Sequence, residues 1–175
     1  MKRFLIVVDM QKDFVDGALG TAEAVAIVPR VCEKIRTFDG DIVVTYDTHA
    51  EDYLHTEEGK HLPVAHCVKN TDGWTLNSDV AAALEGKDYT VVEKPTFGSV
   101  ELPALLSELA NGEPFETELC GLCTDICVVS NALLLKASFP EQPIAVDATC
   151  CAGVTPQTHE AALTTMRMCQ IEIKE

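Results

Sequence analysis

Phe4-Leu5-Ile6-Val7-Val8-Asp9 (FLIVVD) is a run of five apolar residues that ends on a carboxylate. A strand whose successive side chains are all apolar is buried on both faces, which is typical of a parallel sheet covered by helices. Short apolar runs of this kind recur along the chain. The predicted strands after the first are Ile42–Asp47, Tyr89–Glu93, Phe115–Cys120, Ile144–Asp147 and Gln170–Lys174.

Segments with helical spacing separate these strands. The predicted helices are Ala22–Arg36, Ser78–Leu84, Leu102–Ala110, Thr124–Ala137 and Thr155–Met168. Because strands and helices alternate, we expect an α/β fold: a single doubly wound domain with a six-stranded, mainly parallel sheet and helices on both faces. The polar connection 48–77 is the long exception, and such loops are usually functional or disordered.

Composition limits the classes of protein to which the chain can belong. Its 175 residues, 47% of them hydrophobic, are enough for one domain with a buried core. It carries 13 Lys and Arg against 28 Asp and Glu, a net charge of −15 that repels phosphate backbones and anionic lipids. We therefore expect neither a nucleic-acid nor a membrane partner. The eight cysteines, several of them in apolar runs and without an export-signal pattern, fit the reduced thiols of a cytoplasmic protein.

Polar residues with catalytic chemistry follow three of the predicted strands. Asp9 ends the first strand, Lys94 follows the third, and Cys127 lies in the first turn of the helix after the fourth. Ligands of such folds bind beyond the carboxyl ends of the strands. Free amides, the helix dipole and a nearby ammonium favour a thiolate, so we expect a lowered pKa for Cys127. Asp9 would accept the thiol proton and later activate water. Packing, capping or solvation explains each residue alone, whereas their convergence on one rim predicts a catalytic site.

A second group of polar residues lies in and around the long connection. Asp47 and His49 can offer two ligands on one side of an extended chain, and His66 can supply a third. Mixed nitrogen and oxygen ligands suit zinc, manganese or iron better than a soft metal. The alternative is a solvated polar loop whose histidines bind nothing.

Three motifs carry a resemblance to a known family. Asp9–Phe14 (DMQKDF) resembles the D-x-Q-x-D-F opening of isochorismatase-like hydrolases, and Glu93–Ser99 (EKPTFGS) resembles the segment that carries their lysine. Gly121–Val128 (GLCTDICV) is similar to their G-x-x-T-D-x-C-V motif. The motifs occur in family order and the match runs nearly end to end. The resemblance therefore implies that residues 1–175 form one isochorismatase-like hydrolase domain.

The resemblance also implies roles for particular residues. The last Cys of the third motif is the family nucleophile, which is Cys127 here, in a triad with Asp9 and Lys94. The main-chain amides of Cys123 and Cys127 would form the oxyanion hole, and the peptide before Cys123 would be cis. We expect the side chains of Phe14 and Leu122 to line the substrate pocket.

Within the family, the chain resembles nicotinamidases most. Their D-x-H pair and later H-C pair are matched by Asp47, His49 and His66–Cys67. Their additional metal ligand varies, and three residues compete for that place here: His55, Glu57 and Glu58. We favour Glu58, because Thr56–Lys60 (TEEGK) is similar to a T-x-E-G stretch of nicotinamidase-related proteins. The resemblance thus implies a divalent transition metal, with zinc first and manganese or iron as alternatives, held by Asp47, His49, Glu58 and His66.

The leading hypothesis is a cysteine-dependent amidohydrolase acting on a small-molecule amide. Cys127 would attack a carboxamide, ammonia would leave and the thioester would be hydrolysed, with conversion of nicotinamide to nicotinate as the first candidate. Many nicotinamidases carry an aromatic residue before the H-C pair, whereas this chain has Leu62–Ala65 (LPVA). Trp74 and Phe97 are candidates for the missing aromatic wall. A ureido, carbamoyl or aliphatic amide substrate therefore stays open.

Two other classes of function compete with hydrolysis. One is a non-catalytic relative that binds a metal or a ligand. The other is a thiol redox protein, for which the working groups would be Cys123, Cys127 and the vicinal pair Cys150–Cys151, predicted on the loop after the fifth strand. The sequence also leaves open whether the chain forms a homo-oligomer.

Overall fold

The six predicted apolar runs all form strands in the computed structural model, which describes residues 1–175. The strands are β1 (Lys2–Val8), β2 (Asp41–Asp47), β3 (Tyr89–Lys94), β4 (Phe115–Leu122), β5 (Ile144–Ala152) and β6 (Glu172–Lys174). All are parallel, in the order β3-β2-β1-β4-β5-β6. Residues 4–8 of the central strand β1 are fully buried, because helices cover both faces of the sheet.

Seven helices surround the sheet. They are α1 (Lys12–Val15), α2 (Ala22–Thr37), α3 (Glu57–His61), α4 (Ser78–Leu84), α5 (Leu102–Ala110), α6 (Val129–Ser138) and α7 (Pro156–Met168). One core lies under α2 and α4, and a second lies under α5, α6 and α7 on the opposite face. The expected single doubly wound α/β domain is confirmed. None of these helices is long and apolar enough to span a bilayer.

The strand order places a crevice at one edge of the sheet. The chain builds β1, β2 and β3 in one direction and then returns to add β4, β5 and β6 on the other side of β1. Ligands of doubly wound folds bind beyond the carboxyl ends of the strands at such a reversal. The segments that follow β1 and β4 carry Asp9 and Cys127, so the reversal brings these residues to the same place.

Three local features differ from the sequence prediction. β5 extends to Ala152, so Cys150 and Cys151 are not on a loop but inside the strand, where they are buried in the cores on opposite faces. The helix predicted from Thr124 begins as a π-turn, Thr124–Val128, before α6. The connection 48–77 contains a 3₁₀ turn at Tyr53–His55 as well as α3.

Candidate active site

Three side chains from separate strand ends meet at the reversal point of the sheet. Asp9 follows β1, Lys94 ends β3, and Cys127 lies in the turn after β4. Lys94 Nζ is 2.6 Å from Asp9 Oδ2 and 3.4 Å from Cys127 Sγ. All three residues are buried. The structure thus brings together the acid, the ammonium and the thiol that the sequence analysis singles out.

Asp9 is held by Thr45 as well as by Lys94. The Thr45 hydroxyl donates to Asp9 Oδ1 at 2.6 Å and accepts from the Asp9 amide at 3.2 Å. Asp9 Oδ2 lies 2.6 Å from the Lys94 ammonium. A carboxylate oxygen has two lone pairs, so Oδ2 can also accept the thiol proton of Cys127. Thr45 is not predicted, because nothing in the sequence distinguishes it from other small residues in buried strands.

Burial has the largest influence on the proton affinities of this group. It raises the pKa of Asp9, and the Lys94 ammonium opposes it only in part. Burial acts to lower the pKa of Lys94, but the neighbouring negative charges, that of Asp9 first, outweigh it and the net shift is upward, so the lysine stays charged. Burial and then the Asp9 charge raise the pKa of Cys127 well above its ordinary value. The expected lowering of the thiol pKa is therefore wrong, because desolvation outweighs the attraction of Lys94.

Gly121 shapes the turn that carries Cys127. Its φ is 116°, and a Cβ at this position would lie 2.2 Å from the carbonyl oxygen of Val8. Only glycine therefore lets β4 pass so close to the end of β1. The next peptide, Leu122–Cys123, is cis, in agreement with the family resemblance. The chain then enters the π-turn, which presents Cys127 toward Lys94.

The side chain of Asn131 forms hydrogen bonds that stabilise this turn. It donates to the carbonyl oxygens of Cys127 at 2.8 Å and Phe97 at 3.1 Å, and it accepts from the amide of Ser99 at 2.9 Å. Asn131 is fully buried, and its bonds to Cys127 and Ser99 are shielded from water. It therefore ties the turn that carries Cys127 to the segment after β3. One asparagine inside an apolar helix is the sequence signal that we overlooked.

A small apolar cavity opens beside Cys127. Its volume is about 220 Å³, below the range of drug-sized pockets, which suits a substrate of one ring. The lining residues are Phe14, Leu19, Thr21, Ala24, Asp47, Glu58, Leu62, His66, Phe97, Leu122, Cys123, Ile126, Cys127, Gly153 and Val154. The two residues that we expect to contact substrate, Phe14 and Leu122, are both among them. Of the two candidates for a further aromatic wall, Phe97 lines the cavity, whereas Trp74 packs on Tyr46 at 5.2 Å between ring centroids.

Four potential metal ligands form a cluster at one side of the cavity. They are Asp47, His49, Glu58 and His66, whose ligand atoms all lie within 4.8 Å of one another. His55 and Glu57, the two competitors for the place of Glu58, are both exposed, and Glu57 pairs with Lys60 instead. The Thr56 side chain caps α3 by accepting from the amide of Gly59, which fixes the turn that carries Glu58.

Three distances in this cluster match those between the ligands of a divalent metal, whereas His49 Nε2 and Asp47 Oδ2 lie 2.9 Å apart as a hydrogen-bonded pair. Metal–ligand bonds of about 2.0–2.2 Å place tetrahedral ligand atoms roughly 3.3–3.6 Å apart. His66 Nε2 is 3.5 Å from Asp47 Oδ2 and 3.6 Å from Glu58 Oε1, and His49 Nε2 is 3.6 Å from the same Glu58 oxygen. His66 Nδ1 bonds the Val64 carbonyl oxygen at 2.8 Å, which leaves Nε2 as the ligand nitrogen.

Residues behind the cluster hold its ligands in place. The buried Gln11 side chain accepts from the Asp47 amide at 2.8 Å and donates to the Asp47 carbonyl oxygen at 2.9 Å. Tyr53 packs against both histidines, with ring centroids 4.7 Å from His49 and 4.8 Å from His66. Gln11 is the glutamine of the D-x-Q-x-D-F motif, but the motif does not give it this role, and no sequence signal marks Tyr53.

The fold and the site define a doubly wound α/β protein with a thiol–lysine–carboxylate group beside a possible metal site. The chain belongs to the isochorismatase family: residues 3–173 match its isochorismatase domain. Similar proteins include the nicotinamidase/pyrazinamidase of Mycobacterium tuberculosis, 27% identical over 98% of this chain and 97% of that protein. The crystal structure of the nicotinamidase/pyrazinamidase PncA of Bacillus subtilis is 25% identical over the whole of both chains, with a TM-score of 0.85. The pyrazinamidase of Pyrococcus horikoshii in complex with zinc is 30% identical over 100% of this chain and 99% of that one, with a TM-score of 0.83.

Proposed function

We propose that this protein is a cysteine amidohydrolase that converts nicotinamide, or a close aromatic carboxamide, to the carboxylate and ammonia. The observation that carries the proposal is the position of the Lys94 ammonium, 2.6 Å from Asp9 and 3.4 Å from the thiol of Cys127, which itself lines a small apolar cavity. Membership of the family and the relatives described above support a hydrolase and, more narrowly, a nicotinamidase. We expect it to act in the cytoplasm.

Acylation begins with transfer of the Cys127 proton to Asp9. The thiolate then attacks the carboxamide carbon, and the adjacent Lys94 ammonium stabilises the negative charge on sulfur. The main-chain amides of Cys123 and Cys127 donate to the oxyanion as it forms. When the C–N bond breaks, Asp9 returns the proton to the departing nitrogen, and ammonia leaves a thioester on Cys127.

Deacylation uses the same carboxylate as a base. Asp9 takes a proton from water, and the hydroxide attacks the thioester carbon. The C–S bond breaks, the product leaves as a carboxylic acid that ionises, and Cys127 recovers its proton from Asp9. Because burial raises the pKa of both groups, the proton passes between two sites that each bind it more tightly than in water.

The walls of the cavity orient the ring. Phe14 offers an aromatic face for stacking, worth about 1 kcal/mol beyond burial. Asp47, His49, Glu58 and His66 would hold a divalent metal, for which zinc is our first candidate. When bound, such a metal supplies a Lewis-acid position for the ring nitrogen. A ring held at both points directs its carboxamide toward Cys127, and orientation of this kind contributes several kcal/mol to catalysis.

One substrate series tests the proposal. We expect kcat/KM to fall from nicotinamide to benzamide and again to an aliphatic amide of similar size, with ammonia release as the measurement. Benzamide keeps the ring and lacks its nitrogen, so it isolates the contribution of the metal. If an aliphatic amide has the same kcat/KM as nicotinamide, the proposed ring-binding site is excluded, whereas the proposed thiol chemistry is not.

One observation favours a second substrate class. Leu62 lines the cavity at the side where many nicotinamidases carry an aromatic residue, so this wall is aliphatic. An aliphatic wall accepts a small non-aromatic amide, or a ureido or carbamoyl group, without loss of contact. These compounds belong in the same ammonia-release screen, and a higher kcat/KM for one of them would reassign the substrate but not the nucleophile.

A further inference from the structure

We propose that Asp13 is a positioning residue that sets the separation between the ring-binding wall and the metal cluster. The proposal rests on the proposed function, because it assigns ring binding to Phe14 and metal binding to His49 and His66. The hydrogen bonds of the Asp13 carboxylate come from the main-chain amides of Cys67 and Ala18. It acts through the main chain of Cys67.

Asp13 and Cys67 are joined by a hydrogen bond between distant parts of the chain. Cys67 is fully buried, and its amide donates to Asp13 Oδ2 at 2.8 Å. The φ of Cys67 is 46°, a left-handed conformation that a residue with a side chain rarely adopts. The surrounding structure must impose such a conformation, and the Asp13 carboxylate is the acceptor that does so at this amide.

Cys67 in turn fixes both histidines of the metal cluster. His66 precedes it directly, and the amide of His49 donates to the Cys67 carbonyl oxygen at 2.9 Å. The two imidazoles lie 4.9 Å apart between ring centroids. A shift of Cys67 therefore moves both nitrogen ligands together.

Asp13 also fixes the opposite side of this arrangement. It precedes Phe14, whose ring centroid lies 5.3 Å from that of His66. Its own amide donates to the carbonyl oxygen of Gly73 at 3.0 Å, and a Cβ on Gly73 would lie 2.2 Å from Asp13 Oδ2. The space for the carboxylate thus exists only because residue 73 is glycine. One carboxylate links the ring wall to the metal ligands at a set distance.

Three substitutions of Asp13 separate a positioning role from a role of its charge. Asp13→Asn keeps an acceptor at the right distance and removes the charge. Asp13→Glu keeps the charge, but its extra methylene does not fit against Gly73. Asp13→Ala removes both, and Asp16→Ala is the matched control, since Asp16 is exposed and three residues further along the chain.

The readout is the zinc Kd, measured without substrate by competition with a chromophoric chelator. We expect Asp13→Ala and Asp13→Glu to weaken zinc binding about 10- to 100-fold, the usual effect of losing support behind a metal ligand. Asp13→Asn should bind zinc within about threefold of the parent, since its amide oxygen accepts the same bond, and Asp16→Ala should match the parent. In nicotinamide kinetics, KM should rise more than kcat falls.

Comparison of the zinc Kd values of Asp13→Asn and Asp13→Glu tests the proposal even if Asp13→Ala does not fold. Tighter zinc binding by Asp13→Glu than by Asp13→Asn, or equal binding by all variants, would overturn it. If the zinc Kd values of the variants change as expected but the protein does not hydrolyse nicotinamide, the positioning role is supported and only the proposed function fails. If the protein hydrolyses nicotinamide but all variants bind zinc equally well, the proposed function is supported and the positioning role fails.

Discussion

Asp47 Oδ1 lies 3.4 Å from Lys94 Nζ, while Asp47 Oδ2 faces the imidazoles of His49 at 2.9 Å and His66 at 3.5 Å. One buried carboxylate therefore belongs to two groups at once, the candidate metal cluster and the candidate catalytic group. Hydrogen bonds from the histidines and the charge of Lys94 outweigh burial and hold the pKa of Asp47 below its ordinary value. It is a fixed negative charge close to the thiol of Cys127.

This charge leads to a prediction about Cys127 in the metal-stripped protein. The negative charge of Asp47 is one of the factors that raise the pKa of the Cys127 thiol, so Asp47→Asn should lower that pKa. Alkylation of Cys127 by iodoacetamide should then be faster at a given pH than in the parent. The measurement is the alkylation rate against pH, with Cys127→Ala as the blank for other cysteines. A slower rate in Asp47→Asn would contradict the assigned sign.

The nucleophile itself is tested by comparing three cysteines. Cys127→Ala should lower kcat/KM by roughly 10⁴-fold or more, since no other group can form the thioester. Cys123→Ala keeps its main-chain amide and should cost far less, and the exposed Cys169→Ala should match the parent. Circular dichroism verifies that each variant is folded. A larger loss of kcat/KM for Cys123→Ala than for Cys127→Ala would show that Cys127 is not the nucleophile.

The sequence predicts the fold well because the composition of each strand indicates whether its faces are buried. A run such as FLIVVD has no polar face, so it fits only the centre of a sheet covered on both sides. The helices also have local signals, such as the Thr155 cap and the asparagine after α5. Such signals involve neighbours in the chain, which is why the predicted bounds of α2, α4, α5 and α7 agree with the structure to within one residue.

The sequence predicts less where the outcome depends on contacts between distant segments. The helix start and Lys94 are visible in the sequence and predict a lowered pKa for Cys127, whereas its full burial is not visible. The apolar run Ile144–Asp147 predicts a loop at Cys150 and Cys151, but β5 continues past that run through a register irregularity that faces β4 between Leu119 and Gly121. Thr45, Gln11 and Asn131 act through bonds to residues remote from them, and no spacing rule identifies such partners.

Protonation of Asp9 should set the acid side of the pH profile. Asp9 must be ionised to accept the thiol proton, and burial raises its pKa above the ordinary 3.8. Activity should therefore be lost as the pH falls through this raised value, at a higher pH than for an exposed aspartate. The measurement is kcat/KM against pH for the metal-loaded protein. An acid midpoint at or below 3.8 would exclude Asp9 as the base in this form.

Metal content distinguishes the favoured fourth ligand from its competitors. Protein made without a His tag should bind close to one divalent transition metal per chain. Glu58→Gln should weaken zinc binding about tenfold or more, because it removes a charged ligand atom. His55→Ala and Glu57→Gln should leave the zinc Kd unchanged, since both residues are exposed and outside the cluster. Full activity of the metal-free protein on nicotinamide would show that the proposed reaction does not need the metal.

A network of charges remote from the cavity predicts how stability depends on pH. Lys34 bonds Glu118 and, at 2.7 Å, Asp147, while Lys174 bonds the other oxygen of Glu118 at 2.5 Å. Lys174 and Lys34 outweigh burial and lower the pKa of Glu118, while Lys34 and hydrogen bonds from Thr149 lower that of Asp147.

A carboxyl group whose pKa is lower in the folded state stabilises the protein above its unfolded pKa, and this contribution is lost as the pH falls through the folded value. The free energy of unfolding in urea should therefore decrease as the pH falls below about 4.5, the ordinary value for glutamate. Glu118→Gln should lower stability at pH 7 by about 1–3 kcal/mol and flatten this decrease, because it breaks a largely buried pair. The control is Glu175→Gln, which removes the exposed partner of Arg167 and should change stability by less than about 0.5 kcal/mol. Equal effects of the two substitutions would mean that the network contributes no more than a surface ion pair.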